Sequence, residues 1–138
     1  ISTLRSHHLD LSGKDHNGRN AISWACSGGH HTVVEYLIKY DRKGADEEDV
    51  DGWTPLAWAL DKDTPKTVGA LLASGLVNIN RKDAGGRTPL VWAAMYGYVD
   101  IVRMLMKVEG IKMDSAALRQ ATIYGHEDVM RVLQGLDN

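Results

Sequence analysis

A recurrence with a fixed step of 34 residues constrains this chain more than any other feature. Asn17-Gly18-Arg19-Asn20-Ala21-Ile22-Ser23-Trp24-Ala25 returns as Asp51-Gly52-Trp53-Thr54-Pro55-Leu56-Ala57-Trp58-Ala59, and again as Gly85-Gly86-Arg87-Thr88-Pro89-Leu90-Val91-Trp92-Ala93. A period of that length in core-type residues signifies one supersecondary unit stacked on copies of itself, because a single unit of this size cannot bury its own apolar face. Asn17-Gly18, Asp51-Gly52 and Gly85-Gly86 tolerate positive φ, so each unit should open on a tight hairpin turn with positive φ at both central positions. Thr54-Pro55 and Thr88-Pro89 then supply an N-cap hydroxyl and a φ pre-set for the first helical position, while Asn20 takes the capping role in the first copy. The short helix that follows carries Leu56, Trp58 and Ala59, or Leu90, Trp92, Ala93 and Ala94, and it stops at Gly97 or at Gly28-Gly29 as a left-handed C-cap requires. A second helix begins almost at once, with apolar stripes at Val33, Val34, Leu37 and Ile38, at Val68, Leu71 and Leu72, and at Ile101, Val102, Leu105 and Met106.

The copies are not identical. Asp63 stands where the others have Gly29 and Gly97, and Thr64-Pro65 offers a fresh cap for the second helix of that copy. Gly69 falls inside that helix at a cost of about 1 kcal/mol relative to alanine, so the second unit is expected to be the softest. A fourth copy is shortened by loss of the hairpin: Ala93, Gly97 and Ile101 reappear as Ala121, Gly125 and Val129, and Asp114-Ser115 can cap its helix directly. Its remaining positions, among them Arg119, Gln120, Glu127, Asp128, Arg131 and Gln134, are polar, as an end-capping unit requires. At the other end, Leu9 and Leu11 precede Asp15 as Val77 and Ile79 precede Asp83, so residues 1–14 are expected to be the tail of an earlier unit in a longer parent chain.

These residues resemble the ankyrin repeat: Gly-x-Thr-Pro-Leu-x-x-Ala, a glycine, then Val-Val-x-x-Leu-Leu, over residues 9–134. Tryptophan two places beyond Leu56 and Leu90, where the common pattern has leucine, is most similar to the multi-ankyrin arrays of filamentous fungi. The resemblance implies an all-α solenoid of stacked helix-turn-helix units with hairpin-like fingers. Residues 1–138 would form a single domain, with repeats at 15–48, 49–82 and 83–113, a capping repeat at 114–138 and a remnant at 1–14. Ankyrin repeats often place histidine after Thr-Pro-Leu to brace neighbouring turns, but Ser23, Ala57 and Val91 hold those places here. Trp24, Trp58 and Trp92 recur beside Ala25, Ala59 and Ala93, and are expected to be inter-repeat core that replaces the histidine bracing. On that reading Trp92→Ala should cost about 3 to 5 kcal/mol.

Composition narrows the function. Sixteen basic against 18 acidic residues leave a net charge of −2, with no field to draw in nucleic acid or a membrane surface. No apolar run approaches the roughly 18 residues of a membrane span. One cysteine cannot form an internal disulfide, which makes an intracellular, cytoplasmic setting the default. Locally, Asp46-Glu47-Glu48-Asp49 with Asp51 faces Arg81, Lys82 and Arg87 on the next finger; adjacent fingers attract one another and stay solvated, or else form a dipolar docking edge.

Cys26-Ser27-Gly28-Gly29-His30-His31 could suggest a nucleophile or zinc site, which needs thiolate and imidazole converging with a third group. Yet Cys26 falls in register with Leu60, Ala94 and Thr122, and His30 with Thr64, Tyr98 and His126, so the repeat explains both. His7 and His8 add histidines of undefined spacing and nothing more specific. No phosphate loop, Gly-x-Ser-x-Gly, His-Glu-x-x-His or paired Cys-x-x-Cys is present, and the sequence calls for no catalytic residue, metal or cofactor.

What remains is a non-catalytic module whose partner is another protein or another domain of the parent chain. In ankyrin repeats the variable residues beside the turn and at the end of the first helix face the concave side. The resemblance places Arg19, Trp53 and Arg87 at the turns, and Met95, Tyr96, Ile123 and Tyr124 at the helix ends, on that binding face. Aromatic and arginine side chains are enriched at binding hot spots. The alternative is a structural end segment of a larger multidomain receptor or enzyme, packed against its other domains.

Overall fold

The structure, a computed structural model, describes residues 14–135. The proposed remnant and His7 and His8 therefore lie outside the described residues, apart from Lys14. Among the described residues eight α-helices follow in pairs: α1 (Ala21–Ser27) and α2 (His31–Tyr40), α3 (Pro55–Asp61) and α4 (Pro65–Ser74), α5 (Pro89–Tyr96) and α6 (Val99–Met106), α7 (Ser115–Ile123) and α8 (Glu127–Leu133). A short 3-10 turn, Lys43–Asp46, follows α2, and no strand occurs among the described residues. First helices α1, α3, α5 and α7 pack side by side in one row, second helices in another, and the core lies between the rows.

Local chemistry starts and stops these helices as the sequence implies. Asn20 Oδ1 accepts from the Ser23 N–H at 2.8 Å, and the Thr54 and Thr88 hydroxyls accept from Ala57 N and Val91 N at 3.3 Å each. Asp114 caps α7 by accepting from Ala116 N at 2.9 Å. The buried stripe contains Val34, Leu37 and Ile38, then Val68 and Leu71, then Ile101, Val102 and Leu105, while Val33, Leu72 and Met106 pack at its margin. Short helices of 7 to 10 residues would be marginal alone, so it is this stacking that holds them.

Two expectations need correction. In each turn dipeptide only the second residue takes positive φ: Gly18 at 77°, Gly52 at 81° and Gly86 at 78°. Asp15, Asp49 and Asp83 each donate their backbone N–H to the carbonyl four residues on and accept from the glycine N–H three residues on, which makes a longer turn than a two-residue hairpin. The aspartate side chains favour this shape by accepting from two further N–H groups within the turn. Thr64, second, does not cap α4 with its side chain; its hydroxyl donates to Ala59 O at 3.1 Å, and Pro65 alone sets the first turn.

The inter-helix turn keeps its left-handed residue in every pair, with φ of 72° at Gly29, 76° at Gly97 and 73° at Gly125. Asp63 is forced to the same region, at 52°. A β-carbon there is strained, so Asp63→Gly should stabilise the fold by about 1 kcal/mol, seen as a raised thermal midpoint. An unchanged or lowered midpoint would show that the carboxylate compensates. Gly69, also in this pair, faces Met104 of α6, whose methyl group would lie 3.1 Å from an added β-carbon.

Between fingers the opposite charges pair in part, through Arg81, while Arg87 meets Asp83 of its own finger at 3.8 Å. Arg81 bridges Asp46 at 2.8 Å and Glu48 at 3.3 Å, and Lys14 reaches Glu47 at 3.2 Å. Such partly exposed pairs contribute at most about 1 kcal/mol each. Beyond the third unit, where the finger is missing, Asn80 ties down the replacement loop by donating to Gly110 O and accepting from Lys112 N, both at 2.9 Å. No helix among the described residues is long and apolar enough to cross a membrane.

Candidate functional site

The side of the first helices that looks toward the fingers is built around three aspartates with the 34-residue step, Asp15, Asp49 and Asp83. Asp49 Oδ1 accepts from Asp51 N and Trp53 N, both at 2.9 Å, and its second oxygen accepts from the Trp58 indole Nε1–H at 3.2 Å. Asp15 repeats the arrangement with Asn17 N at 2.8 Å, Arg19 N at 3.0 Å and Trp24 Nε1 at 3.0 Å. One carboxylate thus shapes the turn and clips it to the following helix. Sequence reasoning missed this role, although the strict step was there to read; Asp49 was hidden in an acidic run.

The expectation that the tryptophans form inter-repeat core holds only at its margin, where Trp58 and Trp92 pack against the buried core as partly buried residues. Trp24 is 52% exposed, and Trp58 and Trp92 are half-buried on the finger side. At about 100° per residue, a side chain two places after Leu56 or Leu90 points away from the stripe that those leucines bury. In the first two units a turn-to-helix hydrogen bond from the tryptophan stands where the histidine bracing would be. Trp92→Ala should accordingly cost less than a core truncation.

Hydrogen bonding from Arg19 N holds the Asp15 carboxyl below the ordinary aspartate range, with Asn17, Trp24 and the Arg19 charge adding to it against the opposing effect of desolvation. A folded-state value below the unfolded one contributes stability that is complete above the unfolded value and is lost as pH falls through the folded value. Acid titration of stability should therefore be shallower in Asp15→Asn than in the parent; identical acid limbs would contradict this.

The third unit departs from the pattern. Asp83 accepts from Gly85 N and Arg87 N, both at 2.9 Å, but its second oxygen lies 3.8 Å from Arg87 Nε, and the buried Trp92 Nε1–H has no acceptor among the described residues. Aromatic rings continue along this face. Trp53 lies 4.6 Å from Trp58 and meets Trp92 edge-on at 5.3 Å; Trp92 is 6.5 Å from Tyr96, which stacks on Tyr98 at 5.7 Å.

Two open grooves adjoin along these rings. One, of about 310 Å³, is lined by Trp53, Trp92 and Tyr96 with Asp51, Asp61, Asp83 and Arg87. The other, of about 410 Å³, is lined by Arg87, Met95, Tyr96, Tyr124 and His126, so Arg87 and Tyr96 are common to both. Of the residues singled out from the sequence, Trp53, Arg87, Met95, Tyr96 and Tyr124 come together here. Arg19 sits one step away, its guanidinium 4.3 Å from the Trp58 ring centre and 4.9 Å from that of Trp24. Ile123 is exposed at the end of α7 and lines neither groove. Arg87 Nη1 approaches the Met95 sulfur at 3.5 Å, and His126 Nε2 lies 3.1 Å from Met95 O.

Cys26 is fully buried, and that burial pushes its thiol up to about 12, so it remains protonated near neutrality and packs as a small apolar group. No cluster of three His, Cys, Asp or Glu side chains among the described residues is arranged to hold a metal.

Comparison with known proteins agrees with the paired helices and turns. The family model "Ankyrin repeats (3 copies)" matches residues 2–83 and 66–138. This chain belongs to the ankyrin repeat family. Among curated relatives, the human 26S proteasome non-ATPase regulatory subunit 10 is 42% identical over 41 residues, which is 30% of this chain and 18% of that protein. An ankyrin repeat-containing protein of Schizosaccharomyces pombe is 39% identical over 46 residues, 33% of this chain and 20% of the other. The matches span about a fifth of the length of these relatives.

Proposed function

We propose that this ankyrin array is a non-catalytic module that binds another protein through its concave, finger-side face. The observation that carries the reading is the aromatic row from Trp53 through Trp92 to Tyr96, continued by Tyr124, along two adjoining grooves. Tyr96 and Tyr124 are 52% and 57% exposed, far more than core packing would leave them. Large rings with polar tips suit binding because they combine desolvated area with hydrogen-bonding reach. Arg19, Arg87, Met95 and Ile123 flank the row. A role in a larger assembly is in keeping with a relative named as a proteasome regulatory subunit, and the same face could take another domain of a parent chain. An intracellular setting fits the single buried thiol, and the short match to a fission yeast protein is compatible with a fungal multi-ankyrin array.

The test is a binding titration against a captured partner with Trp53→Ala, Tyr96→Ala and Tyr124→Ala, each first shown to be folded. Two of the three should lose more than about 1 kcal/mol of binding. Binding untouched by all three, yet abolished by changes on the exposed side of the second helices, would move the site to the opposite face.

A further inference from the structure

The same position in successive fingers holds Arg19, Trp53 and Arg87, and the three side chains meet different surroundings. Arg19 lays its guanidinium across the faces of Trp58 and Trp24, at 4.3 and 4.9 Å from the ring centres. The first inter-unit step is thus an aromatic pair filled by the chain's own cation, an arrangement favoured because the ring face is the negative end of its quadrupole. In the next step Trp53 takes that place and adds a third ring to Trp58 and Trp92. Arg87 does not fill the groove as Arg19 fills its own, since it turns toward Asp83 and the Met95 sulfur. The second step therefore has the aromatic wall with no cation of the chain laid across it among the described residues, and Arg87 stands at its edge.

Charge at this groove points the same way. Asp51, Asp61 and Asp83 line it against the single guanidinium of Arg87. Asp83 is engaged in its turn, and Asp61 has only its exposed neighbour Lys62 at 3.8 Å; Asp51 makes no ion pair among the described residues. The negative field reaches the adjoining rings: the Tyr98 phenol is raised first by burial, then by Asp63 and Asp61.

We infer that the groove between the second and third fingers seats a basic side chain of a protein partner, its guanidinium held against Trp53, Trp92 and Tyr96 and facing Asp51 and Asp61. The inference rests on the proposed concave binding face and names the chemistry it recognises. Arginine fits best, since its planar group both stacks on indole and forks toward carboxylates, as Arg19 shows within the chain for the stacking half.

The probe is a capped Gly-Ser-Arg-Arg-Ser-Gly peptide, titrated into the whole chain at fixed salt while the indole N–H resonances are followed by NMR. Its counterpart carries citrulline, which has nearly the same shape without the charge. The arginine peptide should shift the Trp53 and Trp92 signals saturably and bind about tenfold more tightly than the citrulline peptide. Asp51→Asn with Asp61→Asn should remove most of that preference, whereas Glu109→Gln, on an exposed loop away from the groove, should not. Equal binding of both peptides, shifts spread over all four indoles, or no shift by either peptide would each overturn the inference. The tyrosine and tryptophan variants of the previous test would still lose their captured partner if only this inference were wrong.

Discussion

Leu90→Ala should lower the unfolding free energy by about 3 to 5 kcal/mol, measured as a shift of the urea midpoint followed by circular dichroism. Leu90 is fully buried in α5, the helix that follows the Thr88-Pro89 cap, and belongs to the core between the two helical rows. Truncation removes its transfer free energy and leaves a cavity that flanking helices of 8 and 9 residues, held by their own packing, can close only in part. Because each unit contacts only its neighbours, the loss should also weaken the pairs on either side. Trp92→Ala, two residues further on, should cost clearly less, about 1 to 3 kcal/mol, since its ring is half-buried on the finger side. A Trp92→Ala loss equal to or greater than that of Leu90→Ala would reinstate the tryptophan as the inter-repeat core residue.

Asp49→Ala should be nearly as damaging, at about 2 to 3 kcal/mol, although it removes no apolar area. The carboxylate is only 8% exposed and accepts from two turn N–H groups and the Trp58 indole, so its loss strands three donors at once. Asp49→Asn separates the contributions. Its amide oxygen can still serve the Asp51 and Trp53 N–H groups, but its NH₂ then faces the Trp58 Nε1–H, a donor against a donor. Roughly half of the stability loss should remain, and the Trp58 indole N–H resonance should move toward its water-exposed position. If Asp49→Asn leaves both stability and that resonance unchanged, the clip between turn and helix is not the device described above.

How legible the fold was depends on which residues carried the message. Caps at Asn20, Thr54 and Thr88, and the left-handed closures at Gly97 and Gly29, are local chemistry, written in adjacent residues. The stripes of α2, α4 and α6 follow from helical spacing, and most of each is buried where that spacing places it, with Val33, Leu72 and Met106 at the margin. Candidate binding residues were partly legible: Trp53, Tyr96 and Tyr124 could be placed by register, but not the grooves that join them. Asp49 carried a signal in its 34-residue step from Asp15 and to Asp83, but an acidic run on an exposed finger ordinarily means solvation, and the fold turns one member of it inward.

The tryptophans show the limit most plainly. A residue that recurs every 34 positions occupies the same place in the backbone of each unit, and this much the sequence determined by itself, along with the stacking of paired helices. Recurrence does not reveal whether those surroundings are the next helix or the unit's own finger. A hydrogen bond from Asp49 to Trp58, nine residues apart within one unit, produces the same periodicity as packing between units. Register likewise equates Arg19 with Arg87, yet only the tertiary structure decides that one lies across two indoles while the other turns to a carboxylate and a thioether. The cause is the neighbour: Trp58 stands one unit beyond Arg19, whereas the unit beyond Arg87 has lost its finger and carries Gln120 in the place of a tryptophan.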